Sequence, residues 1–364
     1  MRVKLTVDAR MFNHSGIGRY LQMLLPFIVK QYETSLLGDP EMLDQFSSTA
    51  KIIPFTAPIY SITEQIQIKK LIPPTGIFWS PHYNVPLMQI KAAKRVVTIH
   101  DVFHLAYYNE LSFAQKLYAK LVINKAIKES DLVITVSDFS KSEILKYTGC
   151  KPEKIRVIHN GVKQSTIIKN PIQIKNQYKL PEQYILFVGN VKPHKNLKTL
   201  LKAYLLLNEK LQNEFKIVIA GKKDGFITGD TELINWINNT PALQNNVIFT
   251  GFINDDDMDT VYANASIFVF PSIYEGFGLP PLEAMLNNCP VLVSNANSLP
   301  EVCADAAIYF NPLDEVDISN KITKVLTNKL LMTELKIKGK ERIKLFDWEK
   351  SANKHIELFN QVII

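Results

Sequence analysis

SIFVFPSIYEGFGLPPLEAM, residues 266–285, changes character twice along its length. The run Ile267–Phe270 is continuously apolar, which suits a strand covered on both faces. Pro271 ends it, a Tyr274-Glu275-Gly276 turn follows, and a helix begins within Phe277–Pro281, where prolines are tolerated in a first turn. Strand, glycine turn and helix in this order form the repeating unit of a parallel α/β sheet. The free N–H groups of such a helix start make an anion site suited to a diphosphate. Glu275 stands just before the helix and Glu283 about one turn inside it. Two carboxylates aimed at the hydroxyls of one ligand is one reading. An acidic first turn favourable to the helix dipole is the other.

The same alternation extends in both directions. Strands are expected at Val3–Val7, Ile52–Phe55, Gly76–Trp79, Val96–Ile99, Leu132–Val136 and Ile155–Ile158. A second set falls at Ile185–Val188, Lys216–Ala220, Val247–Thr250, Ile267–Phe270 and Pro290–Val293. Between them lie helical stretches such as Ser112–Glu129. In the helix after Asn196, residues Leu197, Leu200, Leu201, Tyr204 and Leu205 form one apolar stripe. Residues 164–182 lose this rhythm, are rich in Lys, Asn and Gln, and read as a linker. The expected architecture is therefore α/β, two doubly wound Rossmann-like domains over 1–163 and 183–346 facing a central cleft. A last helix over 347–364 caps the second or returns to the first. Ligands of such sheets bind outside the carboxyl ends of the strands, where every motif below falls.

The chain has 364 residues, 46% of them hydrophobic and 21% charged, and too many for one ordinary core. No stretch approaches the ~20 apolar residues of a membrane span, and MRVKLTVDAR lacks a signal-peptide core, so a cytoplasmic location is expected. Cys150, Cys289 and Cys303 form no metal or disulfide pattern and read as buried small residues. The net charge of +7 favours anionic partners, but no basic block with interleaved aromatics suggests nucleic acid.

Three further segments sit at strand ends. ILFVGNVKPHKNLKTLLKAY (185–204) carries Asn190, His194 and Lys195 at a helix entrance, where a lysine could meet a diphosphate. SGIGRY (15–20) places Gly16 and Gly18 before a helix, and taken alone a plain tight turn is the better account of them. VVTIHDVFHL (96–105) brings His100 and Asp101 out of a buried strand, with His104 following. A lone histidine is more often a structural hydrogen-bonder than a reactive group.

The 275–283 segment, continued by CPVLVSNANSLPEV, resembles the E-x7-E motif of retaining glycosyltransferases of the GT-B fold, family 4 in particular. The similarity runs over essentially the whole chain. It implies that Glu275 lies against the donor sugar and Glu283 binds the nucleotide ribose. The backbone of Phe277, Gly278 and Leu279 takes the phosphates, the Gly16–Gly18 loop closes over them, and His100 stands near the reaction centre. Lys195 matches one member of the family's phosphate-binding basic pair. Asn190 and His194 stand where relatives often carry arginine, which weakens the clamp. His82, Tyr83 and Asn84 of SPHYNVP are expected on the acceptor side. Ser137 and Asn160, in ITVSDFSKSEI and VIHNGV, have capping and turn roles. FDWEKSA (346–352) resembles the start of the family's returning C-terminal helix.

The resemblance implies attack on the donor's own face as the diphosphate leaves, without cofactor or bound metal. No second catalytic carboxylate for a double displacement is evident, and Asp255-Asp256-Asp257 reads as a solvated helix start. Mannose from GDP-mannose is the expected donor in surface-polysaccharide (lipopolysaccharide) assembly. UDP-glucose, UDP-N-acetylglucosamine and dTDP-rhamnose remain open. A saccharide or lipid-linked acceptor is expected, and a peripheral contact with an anionic membrane would suit the basic surface. A nucleotide-sugar epimerase and a non-catalytic sugar-nucleotide-binding partner are the competing classes.

Overall fold

The computed structural model describes residues 2–14, 16–107, 113–163, 169–221 and 231–363. The chain divides into two compact units, one made of Met1–Gly161 with Phe346–Ile364, the other of Val162–Leu345.

The first unit holds seven strands: β1 (Lys4–Asp8), β2 (Glu33–Gly38), β3 (Ala50–Pro54), β4 (Thr75–Ser80), β5 (Ala92–Thr98), β6 (Leu132–Thr135) and β7 (Ile155–Val157). They pair in parallel in the order β3-β2-β1-β4-β5-β6-β7. The second unit holds β8 (Tyr184–Val188), β9 (Lys216–Ala220), β10 (Val247–Gly251), β11 (Ile267–Phe270), β12 (Val291–Ser294) and β13 (Ala307–Phe310). These are parallel too, in the order β10-β9-β8-β11-β12-β13. Each sheet starts in its middle, grows to one edge and then to the other. The strand order therefore reverses between β1 and β4 in one unit and between β8 and β11 in the other, opening a crevice at their carboxyl ends.

Apolar helix faces cover these sheets. Helix Leu197–Leu205 buries Leu197, Leu200, Leu201 and Tyr204, each stabilising the fold by about 1.5–3 kcal/mol for the aliphatic members. In the first unit, helix Ile17–Ile28 buries Tyr20, Leu21, Leu24, Leu25 and Ile28. The last helix, Trp348–Ile363, packs on the same core through Trp348, Ala352, His355 and Phe359. Tyr20 joins the two helices: its hydroxyl lies 2.5 Å from His355 Nε2. His355 Nδ1 lies 2.7 Å from the Ser351 carbonyl and must donate to it, so Nε2 accepts from the tyrosine.

Several expectations need correction. Residues 169–182 are not a free linker: they belong to the second unit and contain helix Pro171–Tyr178, capped by Asn170. Residues 164–168 lie outside the described ones. Asp257 is not solvated but 2% exposed, accepting from Lys169 Nζ at 2.7 Å and the Tyr178 hydroxyl at 2.6 Å. That buried carboxylate is what anchors the supposed linker. Strands β2 and β13 were not anticipated. The helix expected from Ser112 is described from Phe113 to Glu129, with Ser112 outside the described residues. All three cysteines are buried, and burial pushes the Cys303 thiol up to about 12. Among the described residues no helix is long and apolar enough to cross a membrane.

Candidate active site

In the second unit three loops converge at the carboxyl ends of β8, β11 and β12. The loop after β8 ends in Asn196, whose φ of 58° lies in the left-handed region that asparagine tolerates. Its side-chain amide donates to the carbonyls of Pro271 (3.1 Å) and Pro312 (2.6 Å), fixing the loop to its neighbours. The His194 carbonyl accepts from the Ile273 N–H at 2.8 Å and lies 3.1 Å from Ser272 Oγ. Lys195 is thereby held beside the Glu275 turn. Its Nζ donates to Glu275 Oε1 at 2.5 Å, and Ser272 Oγ donates to the same oxygen at 2.6 Å. Both side chains keep partial access to solvent, 19% for Lys195 and 14% for Glu275.

The loop after β12 supports the turn from behind. Ser298 Oγ lies 2.9 Å from the carbonyls of both Glu275 and Phe277, and Asn297 Nδ2 donates to the Ile273 carbonyl at 2.6 Å. Gly278 caps helix Leu279–Leu286 at φ 95°, where an added Cβ would meet Leu299 Cδ2 at 2.6 Å. Only glycine fits both the backbone and the space. Within that helix Glu283 accepts from the buried Tyr262 hydroxyl at 3.2 Å, which fixes the direction of its carboxylate. Lys195 and Glu275 thus meet after the ends of β8 and β11, the Phe277–Leu279 backbone follows them, and Glu283 lies in the helix that begins there. Asn190 is exposed at its edge, and His194 contributes its carbonyl to the scaffold.

In the first unit, Gly16 and Gly18 open the helix that carries Tyr20, and the Tyr20 ring meets His100 edge-on with centroids 4.8 Å apart. Gly16 sits at φ 73°, and a Cβ on Gly18 would lie 2.5 Å from the Phe12 carbonyl oxygen. Ser15 lies outside the described residues. His100 Nε2 donates to the Pro81 carbonyl at 3.0 Å, leaving Nδ1 as the acceptor of the ring. Burial lowers its pKa, against the opposing pull of that carbonyl and of Asp101, so the imidazole is neutral at pH 7. Asp101 accepts from the Phe103 N–H at 2.9 Å and starts the next helical turn, a structural duty. Ser137 caps its helix by accepting from the Ser140 N–H.

Ser272, Ser298 and Tyr262 escaped sequence reading. Each acts on a residue three to more than twenty positions away, and no local spacing marks such contacts.

Two doubly wound parallel sheets of this order define the fold class of the GT-B glycosyltransferases, and the solved structures agree. The sucrose-phosphate synthase of Thermosynechococcus elongatus superposes with a TM-score of 0.81 at 19% identity, covering 99% of each chain. Residues 169–342 match the family model described as glycosyl transferases group 1, and residues 61–165 that of Glycosyltransferase Family 4. The O-antigen chain mannosyltransferase RfbU of Salmonella typhimurium is 30% identical over 278 residues, 76% of this chain and 72% of its own. The chain belongs to this glycosyltransferase family. The serotype-specific mannosyltransferase WbdA of Escherichia coli is 32% identical over 293 residues, 78% of this chain. The match spans about a third of WbdA (34%).

Proposed function

We propose that the protein is a retaining hexosyltransferase that moves mannose from GDP-mannose to a saccharide or lipid-linked acceptor in surface-polysaccharide assembly. The observation that carries this reading is the Lys195–Glu275 pair, set before the helix start at Leu279. The names of RfbU and WbdA support mannose as the sugar. Lys195 and the N–H groups at Gly278 and Leu279 meet the charge that grows on the leaving diphosphate. As that diphosphate draws the lysine, Glu275 is released to hold sugar hydroxyls, and Glu283, aimed by Tyr262, holds the ribose. Neutral His100 offers Nδ1 as an acceptor for a hydroxyl of the reacting sugar.

The charge on the diphosphate is met by protein groups, so the reading requires no bound metal and no cofactor. The basic surface, net charge +7, suits a peripheral contact with an anionic membrane that would present a lipid-linked acceptor. A thermal-shift screen of nucleotide sugars tests the donor, because a bound ligand stabilises the fold in proportion to occupancy. GDP-mannose should raise the midpoint most. A larger shift with UDP-glucose, UDP-N-acetylglucosamine or dTDP-rhamnose would replace mannose in this reading. An altered donor sugar appearing without transfer would replace it with epimerisation.

A further inference from the structure

The other switch point, between β1 and β4 of the first unit, adds Asp8, Arg10 and Ser80, which the transfer reading does not use, to His82 and Asn84, expected on the acceptor side. β1 ends at Asp8 and β4 at Ser80. A cavity of about 10 Å³, room for one water-sized group, is lined there by Asp8, Arg10, Ser80, His82 and Asn84 among others. The Arg10 side chain is only 5% exposed. Its Nε and Nη2 donate to Asp8 at 2.8 and 2.6 Å, Nη2 donates also to Glu64 at 2.6 Å, and the Phe55 ring lies 4.2 Å from the guanidinium carbon. Nη1, by contrast, is buried with no hydrogen-bond partner among the described residues, and so is Ser80 Oγ. A buried polar atom left unpaired is costly, so two on residues of one cavity mark a place built for something else.

The charges say what that is. Burial alone would lower the Arg10 pKa, but Asp8 and Glu64 outweigh it and hold the guanidinium charged. One cation thus faces two carboxylates, and burial pushes His82 down to about 3, so its ring adds no positive charge. A phosphate or carboxylate would meet net negative charge here. A neutral hydroxyl accepts from Nη1 and shares a hydrogen bond with Ser80 Oγ without penalty. Beside the cavity stands Tyr60, 46% exposed, with its hydroxyl 3.3 Å from His82 Nε2 and its ring stacked on Tyr83. Tyr60 holds a φ of 70°, strained for an aromatic residue, and Glu64 Oε2 accepts its N–H at 2.6 Å. The carboxylate that braces Arg10 therefore also fixes an exposed aromatic face. A buried hydroxyl socket next to a fixed aromatic ring is the chemistry of neutral-sugar recognition, in which C–H faces lie on the ring and one hydroxyl is read in the socket.

We infer that Arg10 Nη1 and Ser80 Oγ hold one hydroxyl of a neutral saccharide beside Tyr60. Resting on the glycosyl-transfer reading, that saccharide is the acceptor. The probe is methyl α-D-mannopyranoside, followed by saturation-transfer NMR on the full chain, with GDP-induced thermal stabilisation measured in parallel. Wild-type protein should bind the mannoside. Ser80→Ala should bind it about three- to tenfold more weakly, and Ser80→Val, which fills the socket, should lose it. Tyr60→Ala should weaken it at unchanged melting temperature. Stabilisation by GDP should stay as in the wild type in all three. Equal mannoside binding by wild type, Ser80→Ala and Tyr60→Ala, or none by the wild type, overturns the proposal and leaves the socket to a buried water. Absent GDP stabilisation of the wild type overturns the donor reading instead, while the mannoside series still decides this one.

Discussion

Lys195 and Glu275, 80 positions apart in the chain, share a hydrogen bond of 2.5 Å at the point where the second sheet reverses its strand order. Each neutralises the other until a more strongly charged ligand competes for the lysine. Lys195→Ala and Glu275→Ala should each lower kcat at least 100-fold. Because the pair is part-exposed, melting should shift by no more than about 1 kcal/mol. The double variant should lose little more than either single one, since residues acting as a unit are not additive. Steady-state rates and thermal denaturation of all three check this. Additive losses would show that the residues act separately.

Tyr262→Phe removes only the hydroxyl that orients Glu283. It should weaken GDP binding about three- to tenfold, the net cost of one ordinary hydrogen bond. Glu283→Gln should weaken it further, and adding Tyr262→Phe to Glu283→Gln should change little. Isothermal titration with GDP reads all three.

The glycines separate by mechanism. Gly16→Ala meets open space and should cost only the strain of a backbone at φ 73° and ψ −73°, about 1–3 kcal/mol. Gly18→Ala must displace a backbone oxygen 2.5 Å away and should cost more than Gly16→Ala. Gly278→Ala adds strain to a contact with a flexible leucine end, so it should lie between them in stability and also lose GDP affinity. Urea midpoints rank the first two effects, and equal midpoints for Gly16→Ala and Gly18→Ala would contradict the packing account.

Acid should loosen the first unit before its carboxylates titrate. Burial holds His355 down to about 4 and His82 to about 3, so the unfolded chain binds protons that the folded chain refuses. Their contribution is complete above about pH 6.5 and falls as pH drops toward those values. Two such rings predict a loss of roughly 3 kcal/mol between pH 6.5 and 5. Urea denaturation across this interval reads it directly, and a flat profile would mean that the histidines ionise in place.

Chelation should leave turnover unchanged. If lysine and helix N-terminus meet the diphosphate charge, excess EDTA should not alter the rate by more than about twofold. A loss restored by Mg²⁺ or Mn²⁺ would reassign that role to a metal.

Much of the architecture was legible because buried parallel strands and amphipathic helices announce themselves. IFVF is β11, and the stripe from Leu197 to Tyr204 is the buried face of its helix. β2 was not visible because ETSLLG opens with polar residues and ends in glycine, and its burial comes from neighbours far along the chain. Helix Pro171–Tyr178 was hidden for a similar reason: its polar sequence is retained by a carboxylate nearly eighty positions later. At the site, glutamates, lysine and glycines stood out by motif, while the hydroxyls that aim them did not. The Arg10–Glu64 bond, spanning 54 positions, is beyond any reading of local pattern.

The helix Trp348–Ile363 has a consequence for how the molecule is made. The bond between Tyr20 and His355 joins positions 335 apart, and Trp79 and Phe359 complete the same core. As the chain leaves the ribosome, the second unit can close while the first still waits for its final segment. The exposed faces of Tyr20 and Trp79 remain hydrophobic liabilities until residues 348–363 arrive. The sheet of the first unit is therefore synthesised before the second unit and finished after it, and a ribosome that stalls short of residue 348 releases a chain that chaperones must hold.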